Sequence, residues 1–157
     1  MKPQIERKNI VAVRRLYEAR GNPEIIRQVL APDVRWEVVP GFPHSGVYPG
    51  LSGVFDFFTR LLSDFEDWHT EPSEFFETAD RVIAIGTYSV RAKATGKSFE
   101  ARFAHVWTMR DGVVARLQQC ADTVQLAKAL GRDFSKEQHE RHTPNYRCHW
   151  WQSRHWF

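Results

Sequence analysis

The sequence predicts an α+β domain in which helices pack on one face of an antiparallel sheet. Three observations carry this prediction. Apolar residues recur at three- and four-residue intervals up to about residue 65, the period changes to two from about residue 70, and turn-forming dipeptides separate the later runs. Helices followed by consecutive strands are typical of this fold class.

The composition indicates one water-soluble domain. The 157 residues include 42% hydrophobic residues and a net charge of +3, with the basic residues spread along the chain. We therefore expect no nucleic-acid partner, no membrane partner and a cytoplasmic location. Two cysteines exclude a framework of several disulfides. A change in composition places a domain boundary near Gly131, with a domain over 1–131 and a tail over 132–157.

Two helices open the predicted fold. Residues 5–20 carry an apolar stripe and end before Gly21; the stripe comprises Ile10, Val13, Leu16 and Tyr17. A second, short helix follows, with Asn22 as its N-cap, Pro23 at its first position and Pro32 as its stop.

A strand, a long loop and a third helix come next. The strand is "VRWEVVP", and the loop "PGFPHSGVYPG" is rich in proline and glycine. The run "LSGVFDFFTRLLSDF" has helical periodicity behind Ser52 as a candidate cap.

The second half predicts a series of antiparallel strands. Turns are expected at Ala79-Asp80, Thr95-Gly96 and Asp111-Gly112, of which Asp-Gly is the strongest hairpin signal. The run "TVQLAKALG" predicts a closing helical turn.

Three motifs carry a resemblance to a known family: the loop "PGFPHSGVYPG", the helix "VFDFFTRLL" and the hairpin "AHVWTMRDGVVARLQQCADT". Over about residues 5–130 the sequence resembles the SnoaL-like polyketide cyclase and ketosteroid-isomerase-like branch of the nuclear-transport-factor-2 (NTF2-like) superfamily. The resemblance implies a cone, in which a curved antiparallel sheet wraps the helices around an apolar pocket. It also implies a small apolar ligand, no cofactor and no metal, and a homodimer formed through the outer sheet face.

The resemblance assigns site residues. Asp122 matches the family's strand-ending acid, and His105, at the H-x-W position, would orient the ligand or Asp122 or polarise a carbonyl. A further set would shape the pocket wall or its mouth: Trp36, His44, Tyr48, Phe58, Phe103 and Trp107. Cys120 stands near where relatives often carry a tyrosine, and no residue aligns with the base or the second acid of the steroid isomerase.

Strand alternation tests these assignments. It groups His105 with Phe103, Trp107 and Met109 on one face, which predicts that His105 points inward. On the returning strand the inner set near the turn is Val113, Ala115, Leu117, Gln119 and Ala121, which excludes Asp122. If Asp122 reaches the pocket, a bulge or a strand end must therefore precede it.

Two interpretations stay open for each key residue. Asp122 is either a pocket acid whose pKa burial raises or a cap of the last helix. His105 is either catalytic or a hydrogen-bonded core residue, and His44 either borders the pocket or is a solvated loop residue. The functional hypotheses are an isomerase, cyclase or dehydratase that acts through Asp122 and His105, and a non-catalytic ligand-binding or dimerisation module.

The tail contains a cluster of metal-ligating residue types beside three tryptophans: His139, His142, Cys148, His149 and His155. Their spacing matches no known structural zinc motif, so no metal site is predicted. Disorder and packing on a partner subunit are both compatible with its weak periodicity.

Overall fold

The computed structural model describes residues 8–131. The expected tail over 132–157, with its histidine cluster, and the first residues of the predicted opening helix lie outside this part of the chain. Within residues 8–131 no helix has both the length and the apolar character that a membrane span needs.

The described chain forms four helices and six strands in the order expected for an α+β domain. The helices are α1 (Lys8–Glu18), α2 (Pro23–Val29), α3 (Gly50–Asp64) and α4 (Thr123–Ala129). The strands are β1 (Leu30–Val38), β2 (Gly46–Pro49), β3 (Phe65–Thr78), β4 (Arg81–Ala92), β5 (Ser98–Arg110) and β6 (Val113–Ala121). They form one curved, unclosed sheet in the order β2-β1-β6-β5-β4-β3.

The predicted antiparallel run is confirmed for β3 to β6, which pair in sequence order. Asp111 and Gly112 both have positive φ, at 52° and 81°, as the predicted Asp-Gly hairpin turn requires. One pairing differs from the expectation, because β1 lies parallel to β6. A parallel pair needs a long crossover connection, and this one is provided by everything between β1 and β6.

The start of α2 is confirmed, whereas its predicted end is wrong. The Asn22 side chain accepts hydrogen bonds from the backbone N–H groups of Glu24 and Ile25, and Pro23 begins the helix. Pro32, however, does not stop it, because α2 already ends at Val29 and Pro32 lies within β1. The β1–β6 register shifts across this stretch, which is where a strand tolerates a proline.

The predicted cap of α3 is also wrong. Pro49 occupies the N-cap position without a side-chain cap, and Ser52 lies inside the first turn. Gly50 has φ of 68°, which turns the chain directly from β2 into the helix before Ser52 is reached. At the other end, β3 starts at Phe65 rather than near residue 70, and Phe65 is buried.

A bulge in β6 sets which of its side chains face the core. Thr108 pairs with Arg116, whereas Met109 pairs with Val114, so Ala115 is the extra residue. As a result Val114 and Leu117 are both buried, although strict alternation would separate them. β6 therefore contains a bulge, which was one condition for Asp122 to turn inward, but this bulge lies near the hairpin. From Leu117 to Ala121 the strand keeps the inward and outward alternation expected from the sequence.

Candidate functional site

An aromatic cavity of about 810 Å³ lies between the inner face of the sheet and helices α1 and α3. Its wall draws on both layers, and its aromatic members include Trp36, Phe42, Phe57, Phe58, Trp68 and Phe75. Many of these rings contact one another edge-on: Trp36 meets Phe58 and Trp107 with ring centroids 5.5 and 5.7 Å apart. Such packing gives the cavity rigid walls.

A chain of hydrogen bonds crosses this apolar interior, with His105 at its centre. The Tyr17 hydroxyl lies 2.8 Å from Nδ1 of His105, and the Tyr88 hydroxyl lies 2.6 Å from Nε2. Each tyrosine oxygen also accepts an N–H: Trp107 Nε1 donates to Tyr17 at 3.0 Å, and Gln119 Nε2 donates to Tyr88 at 3.3 Å. All five side chains line the cavity.

The side chains of this hydrogen-bond chain come from separate helices and strands, and strand pairing brings them together. His105 in β5 lies directly opposite Gln119 in β6, while Tyr88 is an inward residue of the neighbouring β4. Tyr17 comes from α1, where its ring contacts both His105 and Trp107. Fixing His105 therefore requires the helix and three strands to be in register at once.

Burial makes the centre of the chain neutral. It lowers the pKa of His105 to about 3, because the buried ring cannot hold a positive charge without solvent. Burial likewise raises the pKa of both Tyr17 and Tyr88, so both hydroxyls keep their protons. The site consequently works with neutral groups near pH 7.

A count of protons then shows an imbalance. A neutral imidazole carries one N–H and one acceptor nitrogen. Of the two tyrosines, one must donate to His105 and the other must accept from it. Since Trp107 and Gln119 already donate to these oxygens, the accepting tyrosine keeps a hydroxyl proton that the chain does not use. This proton is available to a group in the cavity.

Charged and polar residues surround the cavity at its rim. The exposed residues of this set include Glu18, Arg20 and Glu71. Arg14 places its guanidinium carbon 5.1 Å from the centroid of the Phe75 ring. The polarity of the cavity thus rises from an uncharged interior to a mixed-charge mouth.

The carboxylate of Asp122 lies at the start of α4 rather than in the cavity. It caps that helix by accepting the backbone N–H of Gln125 at 3.4 Å, while its own backbone N–H donates to the carbonyl of Arg102 at 2.9 Å. Asp122 is not among the cavity-lining residues of the described chain. β6 ends at Ala121, so the strand end that would free Asp122 from alternation is present, but the capping hydrogen bond holds its carboxylate at the start of α4.

The other sequence-predicted residues divide into two groups. Trp36, Phe58, His105 and Trp107 line the cavity, and Phe103 packs behind it with its ring centroid 4.2 Å from that of His105. His44 and Tyr48 are not among the lining residues. Instead Nε2 of His44 lies 2.8 Å from an Asp64 carboxylate oxygen, and the Tyr48 hydroxyl donates to the His44 carbonyl at 2.6 Å.

The sequence matches the SnoaL-like domain family over residues 13–117. The chain belongs to this family. An NTF2-like protein from Burkholderia thailandensis is 31% identical, with a TM-score of 0.75, over 80% of this chain and 98% of that chain. An NTF2-like protein of unknown function from Burkholderia pseudomallei is 29% identical, with a TM-score of 0.74, over 79% and 98%.

The SnoaL-like protein is also similar to TerC, whose crystal structure was obtained with polyporic acid. The two are 29% identical, with a TM-score of 0.73, over 80% of this chain and 99% of TerC. No curated protein matches the sequence at a significant level.

Three members of the hydrogen-bond chain in this SnoaL-like protein were not predicted as site residues: Tyr17, Tyr88 and Gln119. Tyr17 was assigned only to the core stripe of α1. A signal for Tyr88 existed, since it shares its parity with the buried Val82 and Ala84 of β4. Within residues 8–131, no group of three or more His, Cys, Asp and Glu side chains is placed to hold a metal ion.

The neutral state of His105 predicts a pH dependence of stability. Its pKa is lower in the folded protein, about 3, than in the unfolded chain, about 6.5. The unfolded state therefore binds the extra proton first, and the free energy of unfolding decreases as pH falls below about 6.5. Between pH 7 and pH 5 this residue should remove about 2 kcal/mol. Denaturant titrations at both pH values measure the loss, and His105→Gln should abolish that part of it. An identical loss in the variant would contradict the burial of a neutral His105.

Asp122 offers a second prediction, based on its cap. Asp122→Ala should lower the free energy of unfolding by about 1 kcal/mol, because the Gln125 N–H loses its acceptor. Asp122→Asn, which keeps a capping oxygen, should stay within about 0.5 kcal/mol of the wild type. Thermal unfolding of both variants makes the comparison. Equal destabilisation by the two changes would contradict the capping account, because the amide oxygen of asparagine should replace the carboxylate as acceptor.

Proposed function

We propose that this SnoaL-like protein binds a flat, apolar, carbonyl-containing small molecule in the aromatic cavity. The cavity volume, about 810 Å³, falls in the range of about 300–1,000 Å³ that is usual for small-molecule sites. The wall is mostly aromatic with a few convergent polar groups, which is the usual composition of such a site. Family membership supports small-molecule binding in general.

The tyrosine hydroxyl proton that the hydrogen-bond chain does not use is the reason for proposing a carbonyl group in the ligand. A polar hydrogen that faces an apolar cavity without an acceptor costs about 1–3 kcal/mol. A ligand carbonyl oxygen would accept this proton and remove the cost. A hydrocarbon of the same shape would leave it unpaired, so the cavity should discriminate between the two.

The aromatic residues of the cavity wall support the proposal of a flat ligand. The rings of Phe42, Trp68 and Tyr88 all line the cavity and contact one another at centroid distances of 5.2–6.1 Å, so a flat conjugated ligand would pack against aromatic surface there. Polyporic acid, found with the similar TerC, is a dihydroxybenzoquinone that bears phenyl rings. A ligand with this combination of aromatic surface and carbonyl groups fits both properties of the cavity.

Such a site supports isomerase- or cyclase-type chemistry. A hydrogen bond to a carbonyl oxygen stabilises the negative charge that develops there when a proton leaves the neighbouring carbon. In this proposal His105 and its tyrosines polarise the carbonyl. A role for Asp122 as the proton acceptor requires its carboxylate to leave the N-terminus of α4.

A specific observation favours the alternative, a ligand-binding protein without turnover. Both nitrogens of His105 are engaged by tyrosine hydroxyls, so neither is free to take a proton from carbon. Measurable hydrogen–deuterium exchange at the carbon next to the carbonyl of a bound ketone would favour the enzyme over this alternative.

The binding proposal is tested with 9-fluorenone and fluorene, which differ at one ring position by a carbonyl in place of a methylene. Quenching of tryptophan fluorescence should give about threefold or greater preference for fluorenone, the equivalent of one net hydrogen bond. Leu16→Trp, at the cavity wall on α1, should weaken fluorenone binding at least tenfold by occupying the site. Val11→Trp is the matched control, because Val11 lies on the same helix, is 45% exposed and does not line the cavity.

Equal affinity for fluorenone and fluorene would contradict the carbonyl proposal. Equal loss of affinity in the two tryptophan variants would contradict the cavity as the binding site.

We also propose that a second copy of this chain covers the outer face of the sheet. Neighbouring strands place an outer apolar patch there, consisting of Phe76, Ile83, Ile85, Ala104 and Val106. Phe76 is 48% exposed and the other four are partly exposed. A continuous apolar surface of this kind is typical of a protein–protein contact.

Ile83→Lys should convert the dimer into a monomer, because it places a charge at the centre of the outer apolar patch, where Ile83 pairs with both Phe76 and Val106. Light scattering after size-exclusion chromatography measures the mass. Glu24→Lys on the exposed surface of α2 is the control and should leave the mass unchanged. A monomeric wild-type protein at micromolar concentration would overturn the dimer proposal.

A further inference from the structure

The two tautomers of His105 give the cavity two complementary hydrogen-bonding states. With the proton on Nε2, His105 donates to Tyr88, whose own hydroxyl proton is then free. In the same state Tyr17 donates to Nδ1 and keeps a lone pair for another donor. Moving the proton to Nδ1 exchanges the roles of the two tyrosines.

In both states one tyrosine can donate to a ligand while the other can accept from it. The fixed donors at the ends of the chain enforce this result, since Trp107 and Gln119 each occupy a lone pair of one tyrosine oxygen. Both tyrosines line the cavity. The pair therefore offers one donor and one acceptor, and it carries no net charge in either state.

We propose that Tyr17, His105 and Tyr88 form a recognition site for a neutral ligand that presents one hydrogen-bond donor and one acceptor on a flat conjugated frame, and that His105 adjusts its tautomer to the orientation of the ligand. This inference rests on the proposed binding of a carbonyl compound and narrows its class. The compounds concerned are vinylogous amides, in which an N–H is conjugated to the carbonyl and the molecule stays neutral near pH 7.

The chemistry of this ligand class matches the site closely. In a vinylogous amide, moving the proton from nitrogen to the carbonyl oxygen exchanges donor and acceptor. In the site, moving the imidazole proton exchanges the donor and acceptor tyrosines. Either ligand tautomer is thus satisfied without ionisation, which an aromatic interior without a charged partner disfavours. A simple ketone accepts from the donor tyrosine only and leaves one lone pair of the other tyrosine oxygen unused.

The test uses two isomers of equal composition, 3-(4-methylanilino)cyclohex-2-en-1-one and 3-(N-methylanilino)cyclohex-2-en-1-one, whose nitrogen and carbonyl lie in a 1,3 relation on the same edge of the frame. The first keeps its N–H and its carbonyl, whereas methylation at nitrogen removes the donor from the second. Calorimetric titration of the wild-type protein should show a preference of about 3- to 10-fold for the isomer that keeps the N–H, as expected for one additional net hydrogen bond.

Tyr17→Phe should reduce this preference to within twofold, because a single tyrosine remains to meet the ligand and the phenyl ring still covers Nδ1. Phe58→Leu is the matched control. It alters the cavity wall without touching a hydroxyl, so it should change both affinities and leave their ratio as in the wild type.

A second measurement on the wild-type protein needs no variant. Nitrogen-15 NMR of the His105 ring at pH 7 should show a neutral imidazole with one protonated nitrogen, with and without 3-(4-methylanilino)cyclohex-2-en-1-one. A doubly protonated ring would overturn the inference, because both tyrosines would then be donors.

The outcomes separate this inference from the broader proposal. Binding of both isomers with equal affinity would overturn the donor–acceptor site and leave the carbonyl-binding cavity intact. Failure of both isomers and of 9-fluorenone to bind would overturn the proposed function itself.

Discussion

The burial of a neutral histidine is the constraint on which the rest of the structure depends. His105 is 5% exposed, and a buried imidazole needs partners for both nitrogens. Those partners come from α1 and β4, and they are in turn fixed by β5 and β6. Misplacing any one of these elements would leave a buried polar group unpaired, at a cost of about 1–3 kcal/mol. The polar chain thus specifies the packing that the apolar core alone would leave adaptable.

The hydrogen-bond chain centred on His105 also extends to the long loop before α3. Gln119 donates to Tyr88 through its amide nitrogen, and its amide oxygen accepts the backbone N–H of Val39 at 3.2 Å. The loop carries Phe42 into the cavity wall and is held at its far side by the His44–Asp64 pair. A segment rich in proline and glycine is therefore fixed at both ends. A change in hydrogen bonding at Tyr88 can therefore be transmitted through Gln119 to the loop that holds Phe42 in the cavity wall.

The sequence predicted those parts of the fold that local chemistry determines. The Asp111-Gly112 turn and the Asn22 cap depend on residues next to one another, and the inward face of β5 depends on alternation within one strand. The Ser52 cap failed because Gly50 turned the chain first. At the site, alternation found His105 but could not find Tyr17, since no periodicity within α1 reveals which strand its hydroxyl will meet. Likewise, the family motif could not tell whether Asp122 would enter the cavity or cap a helix.

Charge is separated by layer in this protein, and that separation bears on the chemistry of the site. On the outer face of β1 and β6, hydrogen bonds from Arg116 lower the pKa of Glu37 and keep it ionised. Inside, the buried polar residues of the described chain are His105 and Gln119 beside the tyrosines, and none of them is charged. A fully ionised ligand would have to lose its hydration there without a counter-charge. Neutral proton donors and acceptors are therefore the groups that this interior can recognise, while charged substituents have to remain at the rim near Arg20 and Glu71.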